Sequence, residues 1–276
     1  MREESKKESK QERYTYQDLL GIMKRLRAPN GCPWDREQDH QTLKRYLIEE
    51  AYEVLDAIDK ESPEKLCEEL GDVLLQVVFH AEIAREDGQF DMDDVVHGVS
   101  YKMINRHRHV FGDAEAETSA DVLKIWEKVK KDEKAFETQT QALKDVPANL
   151  PALMRSYKVQ QRAAQVGFDW DDIKDAFSKV KEESSELEEA YRKNDKANIG
   201  EELGDLLFAV VNVSRFLKVQ PELALSSTVN KFINRFEYVE KGANKQGKKL
   251  NDMSLKEMDV LWDEAKKLER EQKGEL

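Results

Sequence analysis

The chain carries the same arrangement of carboxylates twice. Glu49-Glu50-x-x-Glu53 is followed by Glu69-x-x-Asp72, and Glu182-Glu183-x-x-Glu186 by Glu202-x-x-Asp205. Each acid of the second set lies 133 residues after its counterpart (182 − 49, and likewise for every pair). Of the 24 positions from Glu49 to Asp72, 10 recur in the second stretch, and both end on Glu-Glu-Leu-Gly-Asp. An internal repeat of this kind governs any fold argument. The chemistry it suggests is that of a hard cation: carboxylate oxygens suit Mg2+ or Mn2+, and Mg2+ keeps positions open for water and substrate phosphates.

The spacing sets these acids in squares. In a helical hairpin turning near residue 61, Glu53 stands eight residues before the turn and Glu69 eight after. Glu50 and Asp72 stand eleven residues either side. Antiparallel helices rise equally per residue, so equal separation means equal height. Glu50 and Glu53 share a face at i,i+3, as do Glu69 and Asp72. A turn at Asn194 places Glu183 opposite Asp205 and Glu186 opposite Glu202 in the same way. Glu49 and Glu182 stand beside the squares. Such charges repel unless a cation compensates them or a carboxyl takes a proton.

A single acid in a chain with 57 Asp and Glu is most simply a solvated helix face. Duplication at matched heights favours a metal site instead. A di-iron bundle would need Glu-x-x-His from two helices. Only Glu37-x-x-His40 is spelled that way, and it precedes the acidic hairpin. His40, His80, His97, His107 and His109 read as surface or packing residues.

The elements that must position the acids are helices. Tyr16, Leu19, Leu20, Met23 and Leu26 recur at helical spacing, and Pro29-Asn-Gly-Cys-Pro33 ends that helix. Leu43, Leu47, Ala51, Val54, Leu55 and Ile58 form the stripe of the first acidic helix. Ser62-Pro63 restarts the chain as a cap and first turn, and Asp195 caps the second copy at the matching position. Leu66, Leu70, Val73, Val77 and Ala81 continue the stripe. Further helices are expected through Val95–His107, Val122–Val129, Tyr157–Ala164, Lys231–Val239 and Leu255–Leu268. No alternating strand pattern stands out, so the expected class is all-α. The expected organisation is a disordered tail over 1–14, a domain over 15–136, a linker over 137–151 and a second domain over 152–272.

Composition agrees with long solvated helices: 39% hydrophobic, 37% charged, with 12 Gly and 6 Pro in 276 residues. A formal charge of −12 argues against a nucleic-acid polymer, whose phosphates need basic partners. It leaves room for a small phosphorylated ligand bridged by a metal. Cys32 and Cys67 form no disulfide framework. The polar start lacks a signal-peptide core and no stretch is apolar enough for a membrane span. The expected location is the cytoplasm.

The EExxE–spacer–ExxD pattern resembles the MazG family of nucleoside triphosphate pyrophosphohydrolases, in two tandem domains. Gly31-Cys-Pro-Trp-Asp35 is similar to the start of that family's first domain. The resemblance implies an all-α homodimer built on four-helix-type pairing, which hydrolyses nucleoside triphosphates to a monophosphate and pyrophosphate with Mg2+. It implies metal ligands at Glu183, Glu186, Glu202 and Asp205. Glu182 is the candidate for orienting or deprotonating water, or else joins the metal shell while a second ion generates the nucleophile. Lys179, Lys231 and Arg235 would contact the triphosphate. Trp262 and Lys266, at i,i+4, would meet a base and a phosphate. The first copy offers a possible second site: Glu49, Glu50, Glu53, Glu69 and Asp72, with Lys102, Arg106, Trp126 and Lys130. It departs from the second where Tyr46 replaces Lys179, while Lys65 stands where the second copy has Asn198. The second copy is the expected catalytic one. Rival readings are a narrower hydrolase of dUTP-like or phosphoribosyl-ATP substrates and a noncatalytic nucleotide-binding regulator.

Overall fold

A computed structural model describes residues 13–134 and 136–272. Most of the tail expected over 1–14, and the side chain of Lys130, lie outside the described residues. The described chain is helical, without a strand, and divides into two compact units between Lys134 and Ala135. Among the described residues no helix is long and apolar enough to cross a membrane.

The first unit runs α1 (Tyr16–Arg27), α2 (Pro33–Glu37), α3 (Lys44–Asp59), α4 (Pro63–Glu86), α5 (Met92–Arg106), α6 (Arg108–Phe111) and α7 (Ser119–Lys134). Thr15 and Asp18 cap α1 reciprocally, and Asp91 and Asp94 do so for α5. Such boxes satisfy the free N–H groups that every helix start presents. α3 and α4 form the hairpin that carries the acids. Its turn lies at Glu61, which takes a left-handed φ of 51°. The Ser62 hydroxyl then accepts the Lys65 N–H, so the cap read from Ser62-Pro63 starts α4. The core of the unit joins Met23, Leu43, Val78, Phe79 and Ile83, with Leu19, Leu20 and Tyr46 packed against it.

The segment Gly31–Asp35 fixes how the chain enters α3. Cys32 N–H donates to the Leu26 carbonyl at 2.7 Å, folding the turn back onto α1. A Cβ on Gly31 would stand 2.0 Å from that same oxygen, so the turn admits only glycine. Arg27, 7% exposed, pairs with Glu86 at 2.8 Å and donates to the Asp35 and Gln38 carbonyls. The guanidinium thereby ties α2 and the loop before α3 to the end of α4. In the same loop His40 Nδ1 lies 2.8 Å from His80 Nδ1 of α4, with the rings within 14° of parallel. One ring donates and the other accepts.

The second unit runs α8 (Gln139–Lys144), α9 (Ala152–Ala164), α10 (Ile173–Arg192), α11 (Lys196–Phe216), α12 (Pro221–Lys245), a 3-10 turn (Leu250–Asp252) and α13 (Leu255–Gln272). α10 and α11 are the second acidic hairpin, turning at Asn194 with φ 54°. Asp195 accepts the Asn198 N–H as the cap of α11. α9 packs on α11, where Gln160 donates to the Phe208 carbonyl at 2.8 Å. α12 packs on α9 and on α13, around Val239, Ala243, Met253 and Leu261.

Two expectations need correction. Residues 137–151, read as a linker, group with the second unit. They contain α8, bury Ala142 and Val146, and receive Arg162 of α9 on the Ala142 carbonyl and Asp145. A six-residue helix is too short to show a period, which is why the sequence hid it. The apolar stripe of α3 is also less buried than expected. Leu43 and Ala57 are buried, but Leu47, Leu55 and Ile58 are exposed.

Candidate functional site

Each acidic hairpin closes on a seam of residues spaced alternately by three and four, the geometry of paired antiparallel helices. On α10 the seam is Ala176, Val180, Glu183, Leu187 and Ala190; on α11 it is Ile199, Glu202, Leu206, Ala209 and Val213. All ten are buried or half-buried. A glutamate interrupts each stripe, Glu183 on α10 and Glu202 on α11. In the first hairpin Glu50 and Glu69 hold the equivalent places. An acid inside an apolar seam is expensive to desolvate without a cationic partner. That break in the stripe marks the site in the sequence more sharply than acid count alone.

The structure brings three carboxylates together in each hairpin. Glu50, Glu69 and Asp72 offer oxygens all within 4.8 Å of one another, and so do Glu183, Glu186 and Glu202. In the first hairpin Glu53 is outside this group. In the second, Asp205 is outside it and exposed. Glu49 and Glu182 are exposed beside their clusters. Repulsion among these crowded carboxylates is what a cation would relieve. The protonation states lean the same way. Burial first, then the charges of Asp72, Glu53, Glu69 and Glu49, raise Glu50 above the usual carboxylate range. The Glu69 charge, ahead of burial, raises Glu53. Burial, then the contact with Glu183, raises Glu186. Three oxygen donors from two opposed helix faces fit a hard divalent ion with positions left for water and phosphate.

One lysine enters each cluster. Lys179 Nζ lies 2.6 Å from Glu183 and 2.8 Å from Glu182. Lys65 Nζ lies 2.6 Å from Glu69 and 3.2 Å from Glu68. Both ammonium groups are held above the usual lysine range by these hydrogen bonds, Lys179 through Glu182 first and Lys65 through Glu69 first.

The family model described as the MazG nucleotide pyrophosphohydrolase domain matches residues 38–111 and 173–240. Each match spans one acidic hairpin. The chain belongs to the MazG family.

MazG relatives extend over almost the full length. The chain is 45% identical to a nucleoside triphosphate pyrophosphohydrolase/pyrophosphatase MazG of Thermotoga maritima, over 91% of this chain and 95% of that one. It is 46% identical to a nucleoside triphosphate pyrophosphohydrolase of Escherichia coli K12, over 91% of this chain and 97% of that one. A Bacillus subtilis protein, uncharacterized YabN, is 50% identical over 96% of this chain, which covers 54% of its length.

Apart from Lys179, the cationic and aromatic groups expected to meet substrate in this MazG chain sit on a different helix pair from the acids. Lys231 is exposed on α12. Arg235, one turn on, donates to Glu269 of α13 at 2.8 and 2.6 Å and lies 5.7 Å over the Trp262 ring. Trp262 also packs against Phe232 at 5.0 Å, and Lys266 pairs with Asp263. The first unit repeats the motif: Arg106 of α5 pairs with Glu133 of α7 at 2.7 Å, and Trp126 meets the edge of His107. Lys102 is exposed. Arg235 and Arg106 thus lock the last helices of their units together. Local spacing does not reveal this, because Glu269 lies 34 residues from Arg235.

Proposed function

We propose that the chain hydrolyses nucleoside triphosphates to a nucleoside monophosphate and pyrophosphate, with Mg2+ as cofactor and Mn2+ able to replace it. The observation that carries this is the trio of carboxylates across the hairpin seam, present in both units. The names of the full-length relatives supply the substrate class. Broad base acceptance, cytoplasmic location and the second unit as the main catalytic copy are part of the proposal.

In this reading Glu183, Glu186 and Glu202 hold the ion, with Asp205 reaching it from the exposed edge. A bound ion would neutralise charge on the phosphates and ease deprotonation of the water that attacks phosphorus. Glu182, exposed beside the cluster, would orient that water or accept its proton. Lys179 lies within reach of the outer phosphate oxygens. Lys231, Arg235 and Lys266 offer further positive charge, and Trp262 a surface for the base. Arg235 exchanges part of its bond to Glu269 for substrate. Glu50, Glu69 and Asp72, with Glu49 and Glu53 beside them, form a second ion site whose cationic side is Lys65, Lys102 and Arg106.

The proposal includes a homodimer. Within the second unit Leu203, Leu207 and Phe208 of α11 and Phe232, Ile233 and Phe236 of α12 are exposed. Two hairpins packed as a four-helix arrangement would cover such faces. They would also bring the α12–α13 cations of one copy towards the acids of another.

The test is turnover of a nucleotide panel by wild type, Glu183→Ala and Glu50→Ala, with pyrophosphate measured as product. Glu183→Ala should lose at least about 100-fold in kcat, as expected for removing a group that stabilises transition-state charge. Glu50→Ala should lose less. An unaffected Glu183→Ala overturns the assignment. Light scattering on the same samples tests the dimer.

A further inference from the structure

The lysines of the two hairpins come from opposite helices. Lys179 lies on the first helix of its hairpin, α10, and its counterpart is Tyr46. Lys65 lies on the second helix of its hairpin, α4, and its counterpart is Asn198. Each reaches the glutamate four residues further along its own helix, at 2.6 Å. Each chosen glutamate is the most enclosed acid of its cluster, 2% exposed for Glu69 and 6% for Glu183. When the lysine changes helix, the buried carboxylate changes helix with it. The two copies have kept one ammonium per cluster while differing in where it is attached.

Helix stability does not account for these lysines. A lysine preceding a glutamate by four residues is the weaker order of such a pair. Lys65 also stands in the first turn of α4, three residues after the Ser62 cap, where the helix dipole disfavours a cation. What the position provides is a positive charge against a carboxylate that has almost no water. A divalent ion bound by the same oxygens supplies that charge itself. An ammonium 2.6 Å from each seam glutamate is a second positive charge on the carboxylate the ion would use, and two cations on one carboxylate repel each other.

We infer that Lys65 and Lys179 are resident counter-cations. Each neutralises the seam glutamate of its hairpin until a divalent ion replaces it, and is then left free beside the ion to meet a polyphosphate. The inference rests on the divalent-ion site proposed above. Its consequence is a definite sign: the lysine weakens ion binding in the absence of nucleotide and makes ion and triphosphate bind cooperatively. Release costs the ion part of its affinity, and the phosphate regains it by pairing with the freed ammonium.

The test is titration of the full chain with Mn2+ at pH 8, followed by electron paramagnetic resonance of free Mn2+, for wild type, Lys179→Met, Lys179→Arg, Lys65→Met and Glu183→Gln. Lys179→Met should bind Mn2+ about tenfold more tightly, a change of about 1.4 kcal/mol. Lys179→Arg should stay near wild type. A triphosphate analogue with a nitrogen bridge between the α and β phosphorus atoms should tighten Mn2+ binding in wild type and no longer do so in Lys179→Met. Lys65→Met reads the same effect independently in the first hairpin, should Lys179→Met not fold. If the methionine variants bind Mn2+ as wild type does or more weakly, while Glu183→Gln loses binding, the counter-cation role is overturned and the ion site stands. If Glu183→Gln binds as wild type does, the ion site falls and the counter-cation role with it.

Discussion

Replacing Glu50 by glutamine should move stability in opposite directions without and with a divalent ion. Glu50 shares a cluster with Glu69 and Asp72 whose oxygens lie within 4.8 Å of one another. At that separation two like charges repel by about 0.9 kcal/mol in a water-like medium and about 3.5 kcal/mol at an effective dielectric of about 20. Glu50 is half-buried and Lys65 offsets the Glu69 charge, so a net cost near the lower value, about 1 kcal/mol, is expected. The sign follows from the raised carboxyl. Burial, then Asp72, lift Glu50 above its ordinary 4.5. The folded state therefore holds its proton to higher pH than the unfolded chain, and stability falls as pH rises from 4.5 through the raised value. At neutral pH the glutamine variant escapes that cost. In a chelator it should melt about 4 °C above wild type for a unit of this size. In Mn2+ at about a hundred times its dissociation constant, wild type should gain about 2.7 kcal/mol, while the variant, one ligand short, gains far less. Thermal melts of the full chain by circular dichroism at pH 7.5, with chelator and with Mn2+, would show the two curves exchange order. A variant that melts below wild type in chelator would refute the repulsion argument. A wild type indifferent to Mn2+ would refute the ion site.

Three further outcomes follow from the fold. Gly31→Ala forces a Cβ to within 2.0 Å of the Leu26 carbonyl, so the α1–α2 turn must open; chemical denaturation should show a loss of at least about 2 kcal/mol. Glu61→Asn keeps the left-handed turn at φ 51° with a residue that adopts it more readily, and should raise stability by about 0.5–1 kcal/mol in the same assay. Burial first and His40 second push the His80 imidazole below its ordinary 6.5, so its neutral form favours folding above that pH and stability should fall as pH drops below it. Melts between pH 8 and pH 5.5 should show that fall in wild type and a flatter profile in His40→Asn.

What the sequence revealed and what it withheld separate along a physical line. The hairpins were legible because their signals are local. Equal numbers of residues on either side of Glu61 and Asn194 set the acid heights, and both residues do take the left-handed turn. Ser62 and Asp195 were legible as caps for the same reason: a cap bonds to an N–H three residues away. The all-α class follows from periodicity alone. Which acid each hairpin buries was not legible, because spacing treats the members of a square alike. The enclosed acid lies on the helix that carries the lysine, Glu69 in one copy and Glu183 in the other. The ion-pair partner on the cation side was not legible for a related reason. Lys231 and Arg235 share a face by spacing, yet Glu269 on the next helix claims Arg235. His40 and His80 lie 40 residues apart and meet only because Arg27 and Gly31 fold the intervening loop onto α4. Local rules thus gave the acids their heights, while contacts between helices chose their charge partners. The repeat alone therefore points to two candidate ion sites without ranking them, since the feature that distinguishes the copies is the exchange of Lys179 for Tyr46 and of Lys65 for Asn198.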